Sequence, residues 1–136
     1  MPDVVTCLII DEKGRLLILK RSDKVRTYKG LWGGIAGYVE EGEKPINTAY
    51  KEIFEEVGLK KEDVKLLNNI SPIKFTDTYE NKIYNWTIFP FLFNTYKKDK
   101  VQIDWEHTNY KWILPKDVEK FNTVPHFLDV VLKIIK

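Results

Sequence analysis

The sequence holds a single cysteine, Cys7, among its 136 residues. No internal disulfide can form, so nothing in the chain calls for an oxidising compartment. No apolar stretch approaches the roughly 18 residues that a membrane helix needs. No basic run exceeds a Lys-Lys pair and the net charge is only +2, too little to hold a nucleic-acid backbone by electrostatics. The opening Met1-Pro2-Asp3 lacks the positive residues of a secretory leader, so a reducing cytoplasm is the expected setting. Repeats, low-complexity tracts and linkers are missing as well. What remains is 43% apolar and 31% charged, the balance of a globular chain. Its length suits one domain, residues 1–136, with room for a real core.

The pattern of apolar residues predicts alternating β and α segments. Val4 to Ile10 and Arg15 to Lys20 flank Asp11-Glu12-Lys13-Gly14, which reads as a hairpin. Arg21 to Gly30 is a polar loop, and Leu31 to Val39 is extended around its glycines. Pro45 to Val57 is expected as a helix: Pro suits the first turn, where its missing N–H costs little, and Gly58 is a natural stop. Asp63 to Tyr79 and Ile83 to Tyr96 form a second hairpin around Glu80-Asn81-Lys82. A short strand at Tyr110 to Leu114 follows, then a helical turn from Pro115 to Lys120. Pro125 to Ile135 closes the chain as an amphipathic helix. Mixed strands with helices at separated points predict a sheet covered on both faces.

The first helix carries an unusual charge pattern. Glu52, Glu55 and Glu56 stand three and four residues apart, which puts three carboxylates on one face. Such pairs repel by roughly 0.2–0.5 kcal/mol, and the helix dipole disfavours anions so near the C-terminal end. An acidic stripe is ordinarily a solvated face. Here a Gly33-Gly34 turn, Gly37 and a second acidic cluster at Glu40, Glu41 and Glu43 precede it. The apolar residues Ile46, Tyr50, Ile53 and Val57 occupy a separate arc, so the helix can dock and still present its acids. A bound divalent cation reverses the sign of the repulsion, and hard cations prefer carboxylate oxygen.

These residues resemble the Nudix box, G-x5-E-x7-R-E-U-x-E-E-x-G-U with U a bulky aliphatic. The chain reads Gly37, five residues, Glu43, seven residues, Lys51, Glu52, Ile53, Phe54, Glu55, Glu56, Val57, Gly58, Leu59. Each fixed position matches except the family Arg, which is Lys51. Gly30-Leu31-Trp32-Gly33-Gly34 and the stretch from Glu106 to Trp112 are similar to the family's flanking segments. The resemblance implies an α/β/α sandwich with a mixed, curved sheet. It implies Mg²⁺-dependent hydrolysis of a nucleoside diphosphate linked to another moiety, with Mn²⁺ as an alternative ion and water attacking a diphosphate phosphorus. Glu52 and Glu56 are then the main metal ligands. Glu55 is a further ligand or the general base, and the Gly37 carbonyl completes the shell. Glu43 sets the geometry of loop and helix.

Further expectations come with the resemblance. Glu106, six residues before Trp112, takes the place of a fourth ligand or base. His107 beside it can donate to a phosphate or to Glu106, and His126 begins the last helix with no assigned role. Arg21 and Arg26 flank the loop where members place phosphate-binding cations. Trp32, Tyr28, Phe75, Tyr79, Tyr84 and Trp86 are candidates to stack on a nucleobase, a contact worth roughly 1–3 kcal/mol. The partner is a small nucleotide, with no nucleic acid and no membrane, and the resemblance allows a homodimer. Lys51 keeps the charge of the family Arg and loses its planar fork. That change leaves an alternative reading, a non-catalytic nucleotide-binding or regulatory module on the same fold. An isomerase on this fold would need acid–base residues that the sequence does not display.

Overall fold

The computed structural model describes residues 2–135. Eight strands and two helices follow in the order β1 (Asp3–Ile10), β2 (Leu16–Arg21), β3 (Trp32–Gly33), β4 (Ile35–Tyr38), α1 (Pro45–Val57), β5 (Val64–Asn69), β6 (Ile73–Tyr79), β7 (Lys82–Thr95), β8 (His107–Ile113) and α2 (Phe127–Ile134). Short 3-10 turns lie at Lys61–Asp63, Lys98–Lys100 and Pro115–Lys120.

The sheet is mixed. Its main path is β3-β2-β1-β7-β5, with β4 added to β1, β6 to β7 and β8 to β2. The pair β1 and β7 is parallel and the others are antiparallel. Alternating residues of the central strands feed two separate cores, which explains why their sequences are apolar throughout. Val5, Cys7, Ile9, Leu17, Leu19, Phe91 and Phe93 pack against Ala49, Ile53 and Val57 of α1. Leu8, Leu16, Ile18 and Leu92 pack against Phe127, Val130, Val131 and Ile134 of α2. Fully burying a side chain such as Phe93 or Leu8 contributes about 1.5–3 kcal/mol. The architecture is an α/β/α sandwich.

Two segments differ from the sequence reading. The expected strand from Asp63 to Tyr79 is two strands, broken at residues 70–72. Pro72 has no N–H to give to a ladder, and the break lets the long β7 pair with β6 along its first half and with β5 along its second. β8 starts at His107 rather than Tyr110, because its pairing with β2 extends to Arg21 opposite His107.

Two local features aim the acids. Gly58 caps α1 in the left-handed region at φ +76°, and its N–H bonds the Phe54 carbonyl at 2.9 Å. Beyond the cap, the Gln102 N–H bonds the Val57 carbonyl at 2.9 Å and the Asp104 N–H bonds the Glu56 carbonyl at 3.2 Å. The segment before β8 is thereby laid along the last turn of α1, bringing Asp104, Glu106 and His107 to the helical carboxylates.

Candidate active site

Glu52 and Glu56 lie one turn apart on α1. Glu56 is only 2% exposed. Burial pushes its carboxyl well above the ordinary range, and the charges of Glu106 and Glu52 add to the shift. Burial also raises Glu52. The Glu56 Oε2 atom is closed off from solvent and has no hydrogen-bond partner among the described residues. Such an orphaned oxygen ordinarily costs about 1–3 kcal/mol, so it marks a place where a partner is due. Gly37 on β4 faces Glu52. A Cβ there would lie 2.6 Å from the Glu52 Oε1 position, so a residue without a side chain is required for this approach.

The wall opposite α1 comes from the segment before β8. Burial, then Asp104, lift the Glu106 carboxyl to about 7, while Arg21 works in the other direction. Its backbone is fixed by the Ser22 N–H bonding the Glu106 carbonyl at 2.7 Å. Arg21 is held in turn: its Nε donates to the Thr27 carbonyl at 2.9 Å and its guanidinium reaches Thr27 Oγ1 at 3.4 Å. His107 is buried, with Nδ1 2.9 Å from Asp104 Oδ1 and Nε2 3.7 Å from Glu56 Oε1. Its two ring nitrogens face Asp104 and Glu56 rather than Glu106 or open solvent.

Glu43 and Lys51 form a separate device. Lys51 Nζ donates to Glu43 Oε2 at 2.9 Å. Glu43 Oε1 accepts from the Glu40 N–H at 3.0 Å and from Thr48 Oγ1 at 2.8 Å. Both oxygens are engaged, and they tie the preceding loop to the first turns of α1. Lys51 thus bonds Glu43, and its charge also works against the upward shift of Glu52.

An open cleft of about 370 Å³ runs past these groups. Arg21, Gly37, Lys51, Glu52 and Glu106 line one end, and Tyr28, Asp77, Trp86 and His126 line the other. Glu56 is buried and does not line the cleft, and Glu55 faces solvent. Arg26 is exposed on its loop and does not line the cleft. Trp32 packs edge-on against Phe121 with centroids 5.5 Å apart, in the α2 core. The sequence reading missed Asp104, Asp77 and any role for His126. Asp77 had a signal: it occupies the inward phase of β6 with Ile73, Phe75 and Tyr79, where an acid is out of place.

The arrangement fits a hard divalent cation. Its available donors are oxygens, which suits Mg²⁺ or Mn²⁺, and the orphaned Glu56 oxygen lacks a partner that a cation supplies. Among the described residues no three His, Cys, Asp or Glu side chains already converge as a cage. No described helix is long and apolar enough to cross a membrane.

Comparison with known proteins gives a consistent result. A family model described as "NUDIX domain" matches residues 1–132. The chain is 27% identical over 125 residues to nucleoside triphosphatase NudI of Escherichia coli, covering 87% of this chain and 86% of the relative. The crystal structure of the MutT protein from Methanosarcina mazei is 25% identical, with a TM-score of 0.75 over 97% of this chain and 91% of that one. The E. coli dihydroneopterin triphosphate pyrophosphohydrolase shares the fold with a TM-score of 0.80 at 20% identity, covering 96% and 92% of the two chains.

Proposed function

Since the chain belongs to the Nudix family of hydrolases acting on pyrophosphate bonds, we propose that it cleaves a nucleoside diphosphate linked to a further group, in the cytoplasm, with Mg²⁺ or Mn²⁺ as the ion. The whole chain, residues 1–136, serves as one hydrolase domain. The observation that carries the metal site is the Glu56 Oε2 atom, buried and without a partner, one turn from Glu52. NudI and the dihydroneopterin triphosphate enzyme are named for triphosphate substrates, which supports a phosphate chain as the group that enters the cleft.

Glu52 and Glu56 would hold the ion, with the Gly37 carbonyl as a further oxygen. The bound ion neutralises phosphate charge and makes a water more acidic. Arg21, braced by Thr27 and lining the cleft beside Glu106, grips a phosphate with its planar donors. Glu106 takes the proton of the attacking water. A carboxyl lifted to about 7 is matched to that task near neutral pH. We assign the base to Glu106 over Glu55 because Glu106 lines the cleft and Glu55 faces solvent. Glu55 is left as an outer ligand. Lys51 and Glu43 tie the loop that follows β4 to α1.

The test is a panel of nucleotides incubated with Mg²⁺ or Mn²⁺ in ¹⁸O-water. The expected product is a nucleoside monophosphate, with label on the phosphorus that was attacked. Nucleotide binding without turnover at any metal concentration would hand the chain to the non-catalytic alternative.

A further inference from the structure

The acids account for one end of the cleft; the other end is built from different chemistry. Asp77 on β6, His126 before α2, Tyr28 in the loop after β2 and Trp86 on β7 meet there. His126 Nε2 stands 2.7 Å from Asp77 Oδ1, and the Asp77 side chain is 16% exposed. The imidazole cannot swing away. It stacks on Phe75 with centroids 3.7 Å apart and planes within 17°, and its Nδ1 lies 3.7 Å from Asp129 Oδ2. One oxygen of Asp77 is therefore committed to a clamped ring, and the other remains as an acceptor. No Lys or Arg pairs with this carboxylate among the described residues.

The backbone singles out the same end. Among the described residues, four other than glycine have positive φ, a conformation that costs strain. Glu80 and Asn81 are explained by the tight turn between β6 and β7. The other two are Tyr28 at φ +54° and His126 at φ +71°, and both line the cleft beside Asp77. The Tyr28 hydroxyl is shut off from solvent and has no hydrogen-bond partner among the described residues. Its ring packs on Tyr79 with centroids 4.5 Å apart. Trp86 forms a flat wall, stacked on Tyr84 within 3° and 6.1 Å from Tyr38.

We propose that this end of the cleft reads a nucleobase by its amino group, so that substrates carry cytosine or adenine rather than uracil or hypoxanthine. This deepens the hydrolase reading and rests on it in taking the cleft as the substrate's. Asp77 accepts an N–H from the exocyclic amine, and the base stacks on the Trp86 wall. An oxo group in place of the amine sets its lone pairs against a carboxylate that can only accept. The selection thus has a repulsive element as well as an attractive one.

Calorimetric titration in EDTA with cytidine, uridine, adenosine and inosine diphosphates tests this without metal or turnover. Cytidine over uridine and adenosine over inosine should each show a preference of about tenfold or more. Asp77→Asn, whose amide both donates and accepts, should bring both ratios to within about twofold of unity. Equal binding within each pair by the native protein overturns the assignment, as does a preference that survives Asp77→Asn or the absence of binding by all four. The native comparison stands even if the variant fails to fold. A protein that shows these ratios yet hydrolyses nothing with Mg²⁺ would refute the hydrolase reading alone.

Discussion

His107 Nε2 stands 3.7 Å from Glu56 Oε1, and both side chains are only 3% exposed. Burial holds the imidazole pKa below its ordinary value, so the ring is a neutral spacer beside Glu56. Its other nitrogen is anchored by Asp104 Oδ1 at 2.9 Å. Partners behind a ligand fix its orientation, and their loss weakens metal affinity by roughly 10–100-fold. His107→Ala should weaken Mn²⁺ binding, read by electron paramagnetic resonance, within that range. His107→Gln, which keeps a donor for Asp104, should recover part of it. Unchanged Mn²⁺ affinity in both variants would reduce His107 to packing.

Gly37 and Glu52 approach too closely for any side chain between them. In Gly37→Ala the new Cβ meets the Glu52 carboxylate, which must move. Overpacking of this kind costs about 1–3 kcal/mol. The larger effect falls on activity, since a ligand displaced by about an ångström can cost on the order of 100-fold. The variant should stay folded by circular dichroism and lose most of its turnover. Near-native kcat/KM would show that Glu52 has room to spare.

Glu56→Gln separates stability from function. The native carboxyl is buried with its pKa raised well above the ordinary range, so ionising it near neutral pH works against the fold. A neutral amide of the same size relieves that cost. The melting temperature of the metal-free variant at pH 7.5 should equal or exceed that of the native protein. Turnover should fall by about 100-fold or more, because the ion's charge stabilisation amounts to several kcal/mol. A large loss of stability with activity retained would contradict the site.

The parts that were legible in the sequence are those encoded locally. Helix α1 is punctuated by Pro45 and Gly58, and a fixed period put Glu52 and Glu56 on one side of it. The break at Pro72 was written in the chain but hidden inside a β-branched run. Asp104 and His107 were not visible as partners of Glu56, because their proximity follows from the Gln102 N–H bonding the Val57 carbonyl, a tertiary register that no local pattern carries. Trp32 illustrates another limit. An extended segment can show either face, and a shift of one residue exchanges them. Only the pairing of β3 with β2 sends its ring to the α2 core.

Glu43 provides a prediction in acid. The Glu40 N–H, Lys51 and Thr48 all bond its carboxylate and lower its pKa from the ordinary 4.5 to about 2. A carboxylate depressed in this way adds stability that is fully present above the unfolded value and is lost as pH falls through the folded one. Its contribution should therefore hold at pH 6 and drain away between about pH 4.5 and pH 2. Urea midpoints of the native protein and Glu43→Gln should differ at pH 6 and draw together by pH 2.5. Lys51→Met should narrow the pH 6 difference, while Lys51→Arg, which keeps a cation for Glu43, should preserve it. A difference that stayed constant across this range would mean that Glu43 acts through its shape alone, and that the tie between the loop after β4 and α1 does not depend on charge.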